Sequence, residues 1–337
     1  MNDFLFGILQ WINSWVGSYG WAMVVFTVLI RLVLTPLDVK SRVSMRKTAK
    51  LQPQMAALQK KYANDKEKLN QKTAELYRKE HINPLSSCLP LLLTWPILIA
   101  VFGAMRTAAN QELLVQVGQL LNLEAPTLER WLWIKNLWMP DSLFSPAYPD
   151  LGTLNQIGAD QWLAWFKGLD QAHLPALLQG LNLTEASFAG DQIRNTITAI
   201  QGALQNGNAA YAEALSVAPG MSVNLLVTQL NFVRDYNGLM ILPILSAVSQ
   251  IAMTKLTGQN QNQNGAAGSD PAASTGKFMM WFFPIFSLVL CFSYSSAFAL
   301  YWVAGNLVSM VQTLAINRYL DSKEAKTAAV AGEGTVK

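Results

Sequence analysis

The chain has 337 residues, of which 51% are hydrophobic and 14% charged, with a formal net charge of +4. Soluble domains carry about 25% charged residues, so this composition excludes an ordinary water-soluble globule, provided that the apolar residues cluster. The two cysteines, Cys88 and Cys291, exclude a disulfide framework and read as small packing residues.

The first element covers residues 1–20, beginning "MNDFLFGILQWINSWVG". Phe4, Leu5, Ile8, Leu9, Ile12, Trp15 and Val16 recur at helical spacing, which predicts an amphipathic helix lying along a membrane surface. The stretch has neither the basic start nor the cleavage site of a signal peptide. A poorly cleaved signal sequence is the alternative reading.

Five apolar runs follow, at residues 21–37, 86–106, 238–255, 278–294 and 296–316. A spanning helix needs roughly 20 mostly apolar residues, so each is expected to cross a bilayer. The last two are parted by so few residues that a tight helical hairpin is predicted. Residues 38–85 form the first loop and hold 12 of the 25 basic residues, from Lys40 to Lys79. By the positive-inside rule this loop is cytoplasmic. The N-terminus is then outside and the tail, residues 317–337, inside. Leu51, Met55, Leu58 and Tyr62 make one helical stripe in the loop, and Leu69, Thr73, Leu76 and Tyr77 another. They predict an antiparallel helical hairpin, near residues 41–62 and 66–79, whose basic face is solvated and attracts anionic lipid; no specific nucleic-acid partner is expected.

Residues 107–237 fall outside and carry five basic against eleven acidic residues. They pass through "WLWIKNLWMPDSLFSPAYPD", rich in interfacial tryptophan. Residues 151–235, rich in Gln, Asn, Ala and Leu, are expected to form a helical extracytoplasmic insertion. Residues 256–277 read as a low-complexity, disordered cytoplasmic linker.

Chemistry is sparse. His81 and His173 are the two histidines, without metal-ligand spacing, and no HExxH, Walker loop or GxSxG occurs. The spans contain no Asp, Glu or His, and their one lysine, Lys255, lies at the very end of a span rather than at the depth where it could activate a serine. An enzyme is not expected, and neither is a cofactor. What stands out is Arg31, in the middle of "TVLIRLVLTP". An arginine at mid-bilayer costs about 2.5–3.5 kcal/mol on insertion scales. Either it snorkels to the cytoplasmic headgroups or it faces a wet cavity in the bundle. Thr27 lies one turn away, the third span contributes Gln250, and the last contributes Tyr301, Trp302, Asn306, Ser309 and Gln312. Singly these residues suit interhelical hydrogen bonds. Together they suit a polar groove.

Five stretches carry a resemblance. They are "TVLIRLVLTPL" (27–37), the run from "LQPQMAALQKKY" through "HINPLSSCLPLLLTWPILIAVF" (51–102), "LWIKNLWMPD" (132–141), "LPIL" (242–245) and "FFPIFSLVLCFSYSSAFALYWVAGNLVSMVQ" (282–312). In this order they resemble the YidC/Oxa/Alb family of membrane protein insertases, in its bacterial form. The resemblance implies an all-α membrane protein with five transmembrane helices around a hydrophilic groove open to the cytoplasm. It implies that Arg31 is the groove's positive charge, and that Tyr301 and Trp302 touch incoming chains. The implied partners are nascent membrane proteins, the ribosome and the Sec translocon. Two departures stand out. The large outer domain that Gram-negative members carry before the arginine span is not seen, nor is a lipobox cysteine, and about 85 extra residues separate spans two and three. The rival readings are a transporter or channel, which would show inverted repeats and broken helices, and a scaffold whose working part is the outer domain.

Overall fold

The structure is a computed structural model, and it describes residues 2–80, 89–224, 229–258 and 271–333. His81, the Asn83-Pro84-Leu85 motif, Cys88 and most of the expected linker (259–270) lie outside the described residues. In chain order the described elements are α1 (Asn2–Val16), α2 (Tyr19–Lys50), α3 (Gln52–Lys61), α4 (Lys66–Lys79), α5 (Leu89–Leu121), α6 (Leu151–Leu154), α7 (Ala159–Gly168), α8 (Gln192–Gly207), α9 (Ala209–Leu215), β1 (Val217–Asn224), β2 (Gln229–Val233), α10 (Ile241–Gly258), α11 (Pro271–Ser293) and α12 (Ser296–Glu333). Helix therefore dominates. Among the described residues, α2 and the Ser296–Lys326 part of α12 are long and apolar enough to cross a membrane. Shorter apolar helices run over Phe4–Val16, Ile241–Leu256 and Trp281–Ser293.

The helices are longer than the apolar runs suggest. α2 does not stop at Leu37 but continues through Pro36 to Lys50. It ends where Pro53, which has no N–H to offer the preceding turn, enters the first turn of α3. α12 likewise runs on through the charged tail. Such continuity costs little, because Arg, Lys, Ala and Met are good helix formers.

The chain forms two compact units. The first comprises Met1–Phe26, Ala100–Ser246 and Ser287–Trp302; the second comprises Thr27–Ile99, Ala247–Phe286 and Val303–Lys337.

In the first unit the "LWIKNLWMPD" stretch is a hub of satisfied backbone. Asn136 and Asn237, both fully buried, bond reciprocally: the Asn136 amide donates to Asn237 Oδ1 (2.7 Å) and Asn237 Nδ2 to the Asn136 carbonyl (2.9 Å). Buried Asp141 accepts from the amides of Met240 (3.0 Å) and Leu242 (2.7 Å) at the start of α10. Those N–H groups have no helical partner of their own. Gly238 is required there, since any Cβ would fall on the Asp141 carboxylate. The start of α12 is satisfied in the same way, with the Ser296 amide and hydroxyl both donating to the Met139 carbonyl (2.9 and 2.7 Å).

The insertion leaves and rejoins this unit at adjacent points. The Ala147 amide donates to the Asp235 carbonyl (2.9 Å) and the Asn237 amide to Ser145 (2.8 Å). Its core packs Trp162, Phe166, Phe188, Ile200, Leu204 and Tyr211, all buried. Beside its helices the insertion contains two strands: β1 and β2 form an antiparallel hairpin with Val217 opposite Val233 and Ser222 opposite Asn231. Pro219 and Gly220 stop a helix after α9, and the β-branched residues beyond them favour extended backbone.

In the second unit α3 and α4 form the hairpin of the basic loop. The Lys68 amide donates to Asp65 Oδ1 (3.0 Å) and caps α4, and these bonds hold the Asp65 carboxyl below the usual carboxylate range. The two stripes read from the sequence meet where the Tyr77 hydroxyl contacts Met55 Sδ (3.2 Å). The outward face of this unit is apolar. Leu32 and Val33 of α2, Val248 of α10, Ile285 of α11 and Val311 of α12 are all exposed. Exposed aliphatics around buried Thr27, Ser249, Asn306 and Thr313 suit hydrocarbon surroundings rather than water.

Candidate functional site

The polar residues of the first and last spans meet in the second unit. There α2 and α12 run parallel, joined by a series of cross-links. Gln312 Nε2 donates to the Arg31 carbonyl (2.9 Å) and to Thr35 Oγ1 (2.7 Å). Arg42 Nη2 donates to Thr313 Oγ1 (2.5 Å). Arg46 pairs with Asp321 (2.7 Å) and donates to the Asn317 carbonyl (3.1 Å), and Lys50 pairs with Glu324 (3.3 Å). On α2 these residues recur at spacings of four and seven positions, so they share one face.

Arg31 lies at the apolar end of this series and is partly buried. Its guanidinium lies across Gly305. The place a Cβ would take on Gly305 is 3.4 Å from Arg31 Nη2 and 3.8 Å from both Arg31 Nε and Thr27 Cγ2. A larger side chain there would occupy the guanidinium's space. Among the described residues the Arg31 side chain has no hydrogen-bond acceptor, and its charge is felt by Asp38, two turns along α2. On the same two helices, four buried polar atoms lack a hydrogen-bond partner among the described residues: Ser41 Oγ, Arg42 Nε, Ser309 Oγ and Gln312 Oε1.

The structure thus brings together Arg31, Thr27 and Gln312 of the residues singled out from the sequence. Asn306 donates to Ser249 Oγ of α10 (3.0 Å), whereas the Gln250 side chain, one residue on and about 100° around the helix, has no hydrogen-bond partner among the described residues. Tyr301 and Trp302 belong to the first unit, where the Trp302 ring lies 5.8 Å from Phe298 and its Nε1 is buried without a partner. Three further residues were missed in the sequence: Asp38, Arg42 and Gly305. The spacing 31, 35, 38, 42 would have revealed the first two, had the helix been carried past Pro36. Gly305 carries no such signal. No three metal-ligating side chains converge among the described residues.

Comparison with known proteins decides the family. A model of the 60Kd inner membrane protein family matches residues 11–324, nearly the whole chain. The chain belongs to the 60Kd inner membrane protein family. Among curated relatives, a membrane protein insertase YidC of Fusobacterium nucleatum is 44% identical over 107 residues, which are 32% of this chain and 52% of that protein. The membrane protein insertase YidC of Bordetella petrii is 44% identical over 140 residues (42% of this chain, 22% of that protein). That of Thioalkalivibrio sulfidiphilus is 38% identical over 140 residues (42% and 23%). The match spans about half the length of the first of these relatives and under a quarter of the others.

Proposed function

We propose that this protein is a membrane protein insertase that takes hydrophilic segments of nascent membrane proteins into a groove along α2 and α12. The observation that carries the reading is Arg31: a guanidinium on an apolar helix, without an acceptor among the described residues, on the helix pair that also holds buried polar atoms lacking partners. Stability alone does not account for such a group, since an unpaired buried charge is costly. A hydrated groove that receives polar chain accounts for it. The names of the relatives agree with this reading.

In the proposed mechanism a polar segment enters from the cytoplasm. Water and Arg31 lower its desolvation cost, and its acidic side chains gain most. Its apolar segment moves sideways into lipid, driven by burial away from water. The membrane potential, negative inside, favours outward movement of an acidic tail by about 2.3 kcal/mol per charge per 100 mV. No cofactor is needed. Thr27, Gln250, Asn306 and Gln312 would line the groove, and Tyr301 and Trp302 are assigned contact with the incoming chain on the strength of the family resemblance. The basic loop puts the N-terminus outside and the C-terminus in the cytoplasm, in five spans of a bacterial plasma membrane. The ribosome, the Sec translocon and anionic lipid at the basic hairpin are the proposed partners.

The test is depletion of the protein in a strain without a paralogue, following a single-span substrate with a short acidic outer tail. Loss of insertion supports the reading; unchanged insertion overturns it.

A further inference from the structure

The face of α2 that meets α12 carries Arg31, Thr35, Asp38, Arg42, Arg46 and Lys50. Four of these six are tied to α12 by the cross-links described above. The two left over are opposite in charge. Neither the Arg31 guanidinium nor the Asp38 carboxylate has a hydrogen bond or ion pair among the described residues, although Asp38 feels the charges of Arg31 and of Arg42. Asp38 lies seven residues from Arg31, roughly 10 Å along the helix axis, and one turn from Arg42. A carboxylate kept for structure closes on its partner, as Asp321 does on Arg46 at 2.7 Å. Asp38 instead stands partly buried between two guanidiniums without closing on either, and Arg42 keeps a buried Nε free. The helix pair is held without it.

We propose that Asp38 is a specificity-determining residue, a resident carboxylate that competes with acidic side chains of the incoming segment for Arg31 and Arg42. The inference rests on the insertase reading above. With Asp38 present, Arg31, Asp38 and Arg42 together carry a single net positive charge. One substrate carboxylate is attracted, and a second meets repulsion at Asp38. The favoured substrate is therefore a mixed-charge segment, with an acid opposite Arg31 and a basic or neutral polar residue opposite Asp38. In an extended chain about three residues cover that separation. The same competition prevents an acidic tail from being held too tightly to leave.

The test uses the full chain in phosphatidylethanolamine–phosphatidylglycerol vesicles and single-span substrates that differ only in the translocated tail: Ser-only, Asp-Ser-Ser-Lys or Asp-Ser-Ser-Asp. Asp38→Asn is expected to raise insertion of the diacidic tail relative to the Ser-only tail by roughly two- to fivefold, the scale of one partly screened charge pair. It should also erase the preference for Asp-Ser-Ser-Lys. Asp38→Glu should stay near wild type, and in Arg31→Ala/Arg42→Ala the Asp38→Asn effect should vanish. Equal tail ratios in wild type and Asp38→Asn, or an equal loss for all tails, overturn the proposal. If the wild type inserts no tail at all, the insertase reading fails on its own. A second measurement still judges Asp38 in that case: a fluorescent diacidic tail peptide must bind detergent-solubilised Asp38→Asn several-fold more tightly than wild type, and unchanged affinity overturns the proposal.

Discussion

The Gln312 side-chain amide reaches across to Thr35, whose hydroxyl it meets at 2.7 Å while that hydroxyl itself donates to the Arg31 carbonyl at 3.0 Å. This contact braces α2 where it is weakest. Pro36 has no N–H for the ladder, and its ring crowds the preceding turn. The turn that carries Arg31 is therefore held from α12, and its geometry depends on a residue 281 positions away in sequence.

Removing that brace should be measurable. Gln312→Leu leaves the Thr35 hydroxyl without its donor and is expected to cost roughly 1–3 kcal/mol, read as a lower melting temperature of the detergent-solubilised protein. Thr35→Val should cost a similar amount, and the double variant less than the two added together. Strict additivity would mean that the two side chains do not act as one unit.

Gly305 should tolerate one carbon and no more. An alanine Cβ would meet Arg31 at ordinary van der Waals distance, 3.4 Å, so Gly305→Ala is expected to fold and insert substrate nearly as wild type. Gly305→Leu takes the space of the guanidinium and should lower insertion of acidic-tail substrates about tenfold or more, the loss expected when a buried charge is displaced from its site. Equal insertion by both variants would show that Arg31 does not work from its observed place.

The outermost cross-link is expected to be weak and salt-sensitive. The Lys50–Glu324 pair is solvated on both sides, and exposed pairs contribute about 0–1 kcal/mol. Glu324→Gln should shift the melting temperature slightly at low salt and not at all near molar salt, where charges are screened within about 3 Å. Arg46→Ala should cost more, since Arg46 is the better buried partner and also holds the Asn317 carbonyl.

Glu112, beyond the apolar part of α5, gives a pH signature. Burial first, and then the charge of Glu129, push its carboxyl above the usual carboxylate range. A carboxyl whose folded-state pKa is raised binds more protons folded than unfolded. Its contribution to stability is fully present below the unfolded pKa and is lost as pH rises through the folded value. Glu112→Gln is thus expected to be more stable than wild type at neutral pH, with the difference shrinking toward pH 4. Melting curves across pH 4–8 check this, and a constant difference would count against it.

The insertion should be removable. Its ends meet in the Ala147–Asp235 and Asn237–Ser145 pairs, so joining residue 149 to residue 235 through a short turn is expected to leave substrate insertion intact. Stability should fall moderately. Asn208 Nδ2 and the Leu177 amide satisfy the carbonyls of Leu120 and Leu121 at the end of α5, and that end would fray. Loss of insertion in a folded deletion variant would favour the scaffold reading.

Local pattern was enough for much of this protein. Apolar runs, the basic residues between Lys40 and Lys79 and the two stripes of the hairpin follow from helical periodicity and from the cost of charge in hydrocarbon, which are properties of short stretches of chain. Arg31 was legible for the same reason, as a single charge in the wrong solvent. Tertiary structure decided which polar residues share a face across helices. It placed Gly305 beneath Arg31, chose Ser249 as the partner of Asn306, and set Asp38 between two arginines by carrying α2 past Pro36. It also set the Asn136–Asn237 and Asp141 contacts that seat the starts of α10 and α12. Apart from Asp38, those choices depend on contacts between residues 57 or more positions apart, where the fold alone brings a donor to its acceptor, and no periodicity along the chain encodes them.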